Sequence, residues 1–231
     1  MKYRSPMCAL FVALLTVLAC VAQTAAGQGS KPKVDAGGPV APTAALERGR
    51  TVYVLSSCHF CHGIDLTGAS MGAADLMHDP LVGADRNGNL IGSIVLAGLP
   101  NLQTAMPKFA DLTKDQISDL SGYIHYLRQQ GRYKELMATN LDGGDAKAGE
   151  AYFNGAGGCN KCHSTSNLAS ATRKYDASTL RSRFLRPGPF LPAENAAPSA
   201  GEQAHLRLLE NYSATDVANA LAYLEKLPLL R

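Results

Sequence analysis

The 231-residue chain reads as an all-α protein built from two small helical units. Three observations carry that expectation. Apolar residues recur at i, i+3, i+7 and i+10 in two segments, Ile117, Leu120, Ile124 and Leu127, and then Val217, Ala220, Leu224 and Leu227, the spacing of an amphipathic helix. The second half echoes the first a hundred residues later: Gly49-Arg50-Thr51-Val52-Tyr53 lies opposite Gly149-Glu150-Ala151-Tyr152-Phe153, and Asp111-Leu112-Thr113 opposite Asn211-Tyr212-Ser213. Each half also carries one Cys-x-x-Cys-His sequence, Cys58-His59-Phe60-Cys61-His62 and Cys159-Asn160-Lys161-Cys162-His163, with one residue gained before the second.

Taken in order, the chain opens with an export signal over residues 1–22. Lys2 and Arg4 precede an almost wholly apolar run from Met7 to Ala22, shorter than the ~20 residues of a membrane span. Two readings of its processing stand. Cys20 follows Val17-Leu18-Ala19, a bacterial lipoprotein-like signal ending before an acylated cysteine; alternatively, cleavage at Ala22 or Ala26 discards Cys20. Residues 23–44, rich in Ala, Gly, Pro and Gln, have the composition of a flexible linker. Without Lys2 and Arg4 the balance is 22 − 2 = 20 basic against 19 acidic residues, so charge gives no footprint of nucleic acid binding.

The first unit then spans residues 45–139 and the second 140–231, joined by Asn140-Leu141-Asp142-Gly143-Gly144. A short helix precedes each cysteine motif, its glycine and aromatic four residues apart on one face, with the glycine allowing close helix contact. Each closing helix has a start signal, a capping box at Thr113-x-x-Gln116 and a weaker one at Ser213-x-x-Asp216. Asp85-Arg86-Asn87-Gly88-Asn89 has a calcium-loop look but position twelve is Leu96 rather than Glu. It reads as a turn centred on Asn87-Gly88.

Cys-x-x-Cys-His is the attachment signal of c-type haem. Two thiols one helical turn apart each add to one vinyl group of the same porphyrin, and the adjacent histidine becomes the proximal iron ligand. The spacing also fits half a zinc site or a thioredoxin-like pair. A four-ligand zinc site would find each Cys-Cys-His set one short, and no βαβ pattern surrounds either pair. Two covalent haem c groups are therefore expected, held by Cys58, Cys61 and His62 and by Cys159, Cys162 and His163. Domains of this size bury little surface alone, and an aromatic content of 6% without Trp suits a core built around a porphyrin.

These residues carry a resemblance to class I cytochromes c, in which an N-terminal helix with Gly and an aromatic crosses a C-terminal helix with Leu and Tyr. Gly49 with Tyr53, and Leu120 with Tyr123, fit that pattern. The resemblance covers most of the first unit; in the second it covers the opening helix, the haem motif and the closing helix. Gly149 to Cys159, Thr179-Leu180-x-x-Arg183-Phe184-Leu185 and His205-Leu206-Arg207-Leu208-Leu209 resemble exported bacterial cytochromes associated with periplasmic quinoprotein dehydrogenases. The implied architecture is two tandem cytochrome c-like domains.

The resemblance also implies a sixth ligand. Ala105-Met106-Pro107-Lys108-Phe109 looks like the methionine loop of class I cytochromes, so Met106 is expected at the first iron, with Met71, Met77 and Met137 as competitors. A thioether raises the reduction potential relative to histidine. The family's Gly-Pro, whose carbonyl steadies the proximal histidine, is replaced by Ala73-Ala74, where Ala74 can still offer its backbone to His62. The second unit has no methionine, and Leu206 faces Met106 in the repeat. The neighbouring His205 is the candidate sixth ligand there, against the alternatives of a surface residue and a five-coordinate iron. His59, His78 and His125 read as surface residues. Arg173, Lys174, Arg181, Arg183 and Arg186 form a basic stretch suited to haem propionates or, second, to an acidic redox partner.

The expected function is a non-enzymatic, periplasmic electron carrier. It would take electrons from a dehydrogenase and pass them to a cytochrome or terminal oxidase, with the membrane reached only through a lipid anchor at Cys20. A dihaem peroxidase with an open second haem and a haem-based small-ligand sensor are the alternatives.

Overall fold

The computed structural model describes residues 44–68, 72–100, 105–186 and 199–227, all within one compact unit. The export signal, Cys20, nearly all of the linker and Met71 lie outside the described residues. The described residues are all-α; their one strand-like feature is an antiparallel bridge between Leu99 and Met106. No helix among them is long and apolar enough to cross a membrane.

The first half contains α1 (Ala44–Leu55), α2 (Cys58–His62), α3 (Pro80–Ala84), α4 (Ile91–Ala97) and α5 (Lys114–Ala138). The second contains α6 (Ala146–Asn154), a 3₁₀ turn at Cys159–Lys161, α7 (Thr165–Thr172), α8 (Ala177–Leu185), α9 (Ala200–Asn211) and α10 (Ala214–Lys226). Both closing helices start at full capping boxes, with side chain and backbone reciprocally bonded at Thr113/Gln116 and Ser213/Asp216.

One tertiary contact occurs in both halves. α1 crosses α5 at Gly49, where a Cβ would overlap the Asp119 carbonyl and lie 2.8 Å from Tyr123 Cβ. α6 crosses α10 at Gly149, where a Cβ would overlap the Asn219 carbonyl and again lie 2.8 Å from Tyr223 Cβ. Backbones this close admit no side chain at either position. The neighbouring aromatics pack in the same relation, Tyr53 against Tyr123 at 5.7 Å and Phe153 against Tyr223 at 5.5 Å between ring centres.

The halves differ in their closing helices. α5 has 25 residues and α10 has 13. The N-terminal part of α5 supplies Ile117, Leu120 and Ile124 to the first core. Its C-terminal part continues past the repeat and delivers Leu136, with Tyr126, Tyr133 and Met137, to the second core beside Leu180, Leu185, Leu209 and Val217. α5 is thus a spine shared by both cores.

The Asp85–Asn89 stretch is a turn, with Asn87 and Gly88 both in the left-handed region at φ 55° and 82°. Asp85 is fully buried and accepts from the backbone N–H groups of Gly88, Leu90 and Ile91 and from Ser121 Oγ. Burial works to raise its pKa, but those hydrogen bonds outweigh it and hold the carboxyl below its ordinary value.

Candidate haem-binding sites

In the first half the cysteine motif is itself the short helix α2, which turns off the end of α1 at Ser57, held at φ 61°. Cys58 and His62 lie along one wall of a cavity of about 810 Å³, together with Cys61. Leu99, Met106, Pro107 and Phe109 line the same cavity. A smaller apolar cleft of about 140 Å³ continues inward from the same Cys58, His62 and Met106 to Tyr53, Val82, Ile91, Val95, Leu120 and Ile124. Volume and apolar lining suit a large flat cofactor.

The two candidate iron ligands are each held by backbone. His62 Nδ1 lies 3.1 Å from the Ala74 carbonyl, which can only accept, so Nδ1 donates and Nε2 is the nitrogen left for another partner. Met106 is fixed by its bridge to Leu99, with N–H to carbonyl distances of 2.9 and 3.2 Å in the two directions. Gly98 makes the bridge possible: at φ 71° a Cβ there would stand 2.8 Å from the Met106 carbonyl. Of the competing methionines, Met77 is buried under α5, where it fills the space left by Gly131. Met137 packs against the second core.

In the second half Cys159 opens the 3₁₀ turn and Cys162 follows it. His163 faces His205 on α9, with ring centres 5.8 Å apart and planes at 69°. Imidazole nitrogens bind first-row metals at about 2.0 Å, which separates the centres of two opposed rings by roughly 6 Å. The observed spacing is close to that value. His205 Nδ1 is buried and has no hydrogen-bond partner. Burial first, and His163 second, push the His205 pKa down, against a hydrogen bond that the ring donates to the Phe184 backbone, which raises it. Both downward causes favour the neutral ring, the form that binds metals. Leu206, the residue facing Met106 in the repeat, packs against the second core instead.

The leading thiol of each motif is not activated. Burial pushes Cys58 up to about 11, and Cys159 is raised for the same reason. A thioredoxin-like pair needs the opposite shift. Among the described residues no group of three or more His, Cys, Asp or Glu gathers closely enough to hold a metal ion by itself.

Some sequence expectations need correction. His125 is not a surface residue: its side chain is 16% exposed, and its Nδ1 meets Glu210 Oε2 at 2.7 Å. The repeat register carried no information about contacts between the halves. His78 is half exposed but bridges Asp75 at 2.8 Å and Glu135 at 3.0 Å. Within the basic stretch, Arg181 donates to the Leu136 and Thr139 carbonyls at the end of α5, and Arg173 to the Ala169 carbonyl. Arg186 lies over the Tyr133 ring at 5.0 Å.

The first half is an all-α fold in which paired cysteines, a histidine and a methionine line one apolar cavity, the features of a site for a covalently attached haem. Residues 44–124 match the family model described as cytochrome C oxidase, cbb3-type, subunit III. That similarity supports a cytochrome c domain here, which implies covalently bound haem c and electron transfer, the general work of such domains. Cytochrome c domains are typically exported or membrane-associated. No curated protein and no solved structure was found to match the chain.

Proposed function

We propose that the chain is a two-haem cytochrome c of the bacterial periplasm. It takes electrons from a dehydrogenase and passes them to a downstream cytochrome or terminal oxidase. One observation supports this reading above the others. The Gly–aromatic helix crossing recurs in both halves, and each carries a Cys-x-x-Cys-His motif with a candidate sixth ligand, Met106 lining the cavity of His62 and His205 beside His163.

A bound haem supplies one-electron iron chemistry. Cys58 and Cys61, and Cys159 and Cys162, would anchor the two groups. His62, steadied by Ala74, would stand with Met106 at the first iron, and His163 with His205 at the second. Filled axial positions leave no site for oxygen or peroxide. A thioether gives the higher potential and a second imidazole the lower. Electrons would therefore enter through the second half and leave from the first.

Haem extraction and quantitation, paired with a peroxide turnover assay, test the proposal. Two covalent haems per chain and no turnover above free haem are expected. One haem per chain would remove the second site. Rapid turnover would replace the carrier by a peroxidase with an open second haem.

A further inference from the structure

We propose that the first half completes the second haem site: α5 locks the rotation of α9 through the buried carboxylate of Glu210, making Glu210 a positioning residue for His205. This rests on the reading of His205 as the second iron's ligand.

Glu210 lies five residues after His205 on α9, so at 3.6 residues per turn the two side chains point about 140° apart. One face of α9 turns to His163 and the other to α5. The Glu210 side chain is 3% exposed, and among the described residues its carboxylate partners all come from α5. Oε1 accepts from Gln129 Nε2 at 2.7 Å, and Oε2 lies 2.7 Å from His125 Nδ1 and 3.4 Å from Arg128 Nε. Two backbone bonds extend the contact: Arg128 Nη2 donates to the Glu210 carbonyl at 3.3 Å and Arg132 Nη2 to that of Tyr212. Gly83 of α3 lets this seam close, since a Cβ there would come within 2.9 Å of Asn211 Oδ1 and 3.0 Å of Arg128 Nη2.

A buried carboxylate is tolerated only while its partners remain in place. Turning or sliding α9 far enough to withdraw His205 would strand Glu210 among apolar side chains, so the carboxylate penalises that movement. Hydrophobic packing alone, being non-directional, would not fix the rotation so tightly. Arg128 also donates to the Leu76 carbonyl at 2.7 Å, two residues past the Ala74 carbonyl that holds His62. The same guanidinium therefore reaches the backbone flanking both sites.

The test measures the spin state of the second haem and the affinity of the full-length holoprotein for added imidazole, with His205→Ala as reference. Loss of charge-assisted hydrogen bonds to a buried group predicts that Glu210→Ala binds imidazole about tenfold more tightly or better. Glu210→Gln, which keeps shape and one acceptor, should recover most of the wild-type resistance, and the first haem's spectrum should not change. Wild-type resistance in Glu210→Ala, with His205→Ala high-spin, would overturn the proposal and leave the ligand assignment standing. A second haem that stays low-spin in His205→Ala would remove that assignment and the proposal together. Should Glu210→Ala not fold, Gln129→Ala and His125→Ala each remove one donor. Either should raise imidazole affinity, and no change in both would overturn the proposal.

Discussion

The two halves share a frame and differ in how they finish it. In each, a glycine lets the opening helix lie against the backbone of the closing helix, and an aromatic pair seals the crossing. The first half then supplies its own loop, bridged at Leu99 and Met106, to the cavity that His62 lines. The second faces His163 with a residue on α9, and α9 is packed against α3 and α5 of the first half. The repeated crossing thus frames one self-contained candidate site and, on the proposed reading, a second that leans on its neighbour. Changes in the shared seam should reach the second site more than the first.

The largest expected effect comes from Leu136, which is encoded in the first half but 1% exposed within the second core. Leu136→Ala should cost about 2–5 kcal/mol. Hydrogen exchange should show the loss of protection concentrated in α8, α9 and α10, with α1 and α2 spared. Loosening confined to α1 and α2 would mean that the halves fold around separate spines.

The smallest expected effect belongs to His78, which ties the loop after Ala74 to α5 through Asp75 and Glu135. Hydrogen bonding to Asp75, against the opposing pull of burial, raises the His78 pKa. Its contribution is therefore complete below the ordinary histidine value of about 6.5 and fades as pH rises through the elevated one. For both carboxyls burial acts to raise the pKa, but the hydrogen bonds and charges of His78, joined at Glu135 by Arg132, outweigh it and lower both. Their contribution fades as pH falls through those lowered values. The penalty of His78→Ala should peak between about pH 4.5 and 6.5. With all three groups about half exposed, it should stay below about 1 kcal/mol. Thermal melts of both proteins across pH 4 to 8 measure it; a penalty that grew above pH 7 would contradict the assignment.

Much of the frame was legible in the residues. Gly49 and Gly149 marked the crossings, and Thr113 and Ser213 marked the helix starts, because local chemistry dictates both. Ala74 was legible as a backbone acceptor for the same reason. The seam between halves was not. Arg128, Arg132 and Glu210 look like solvated charges on polar helix faces, and nothing in a single sequence pairs residues some eighty positions apart. Likewise His125 was misread because its partner lies in the other half.

The central claim is that one frame carries two unlike iron sites, His62 with Met106 and His163 with His205. A potentiometric titration of the oxidised holoprotein, followed by low-temperature EPR, tests it most directly. The account predicts two low-spin signals that vanish at well-separated potentials on reduction, the methionine-ligated one first. A single common potential, or a high-spin signal from the second haem, would contradict it.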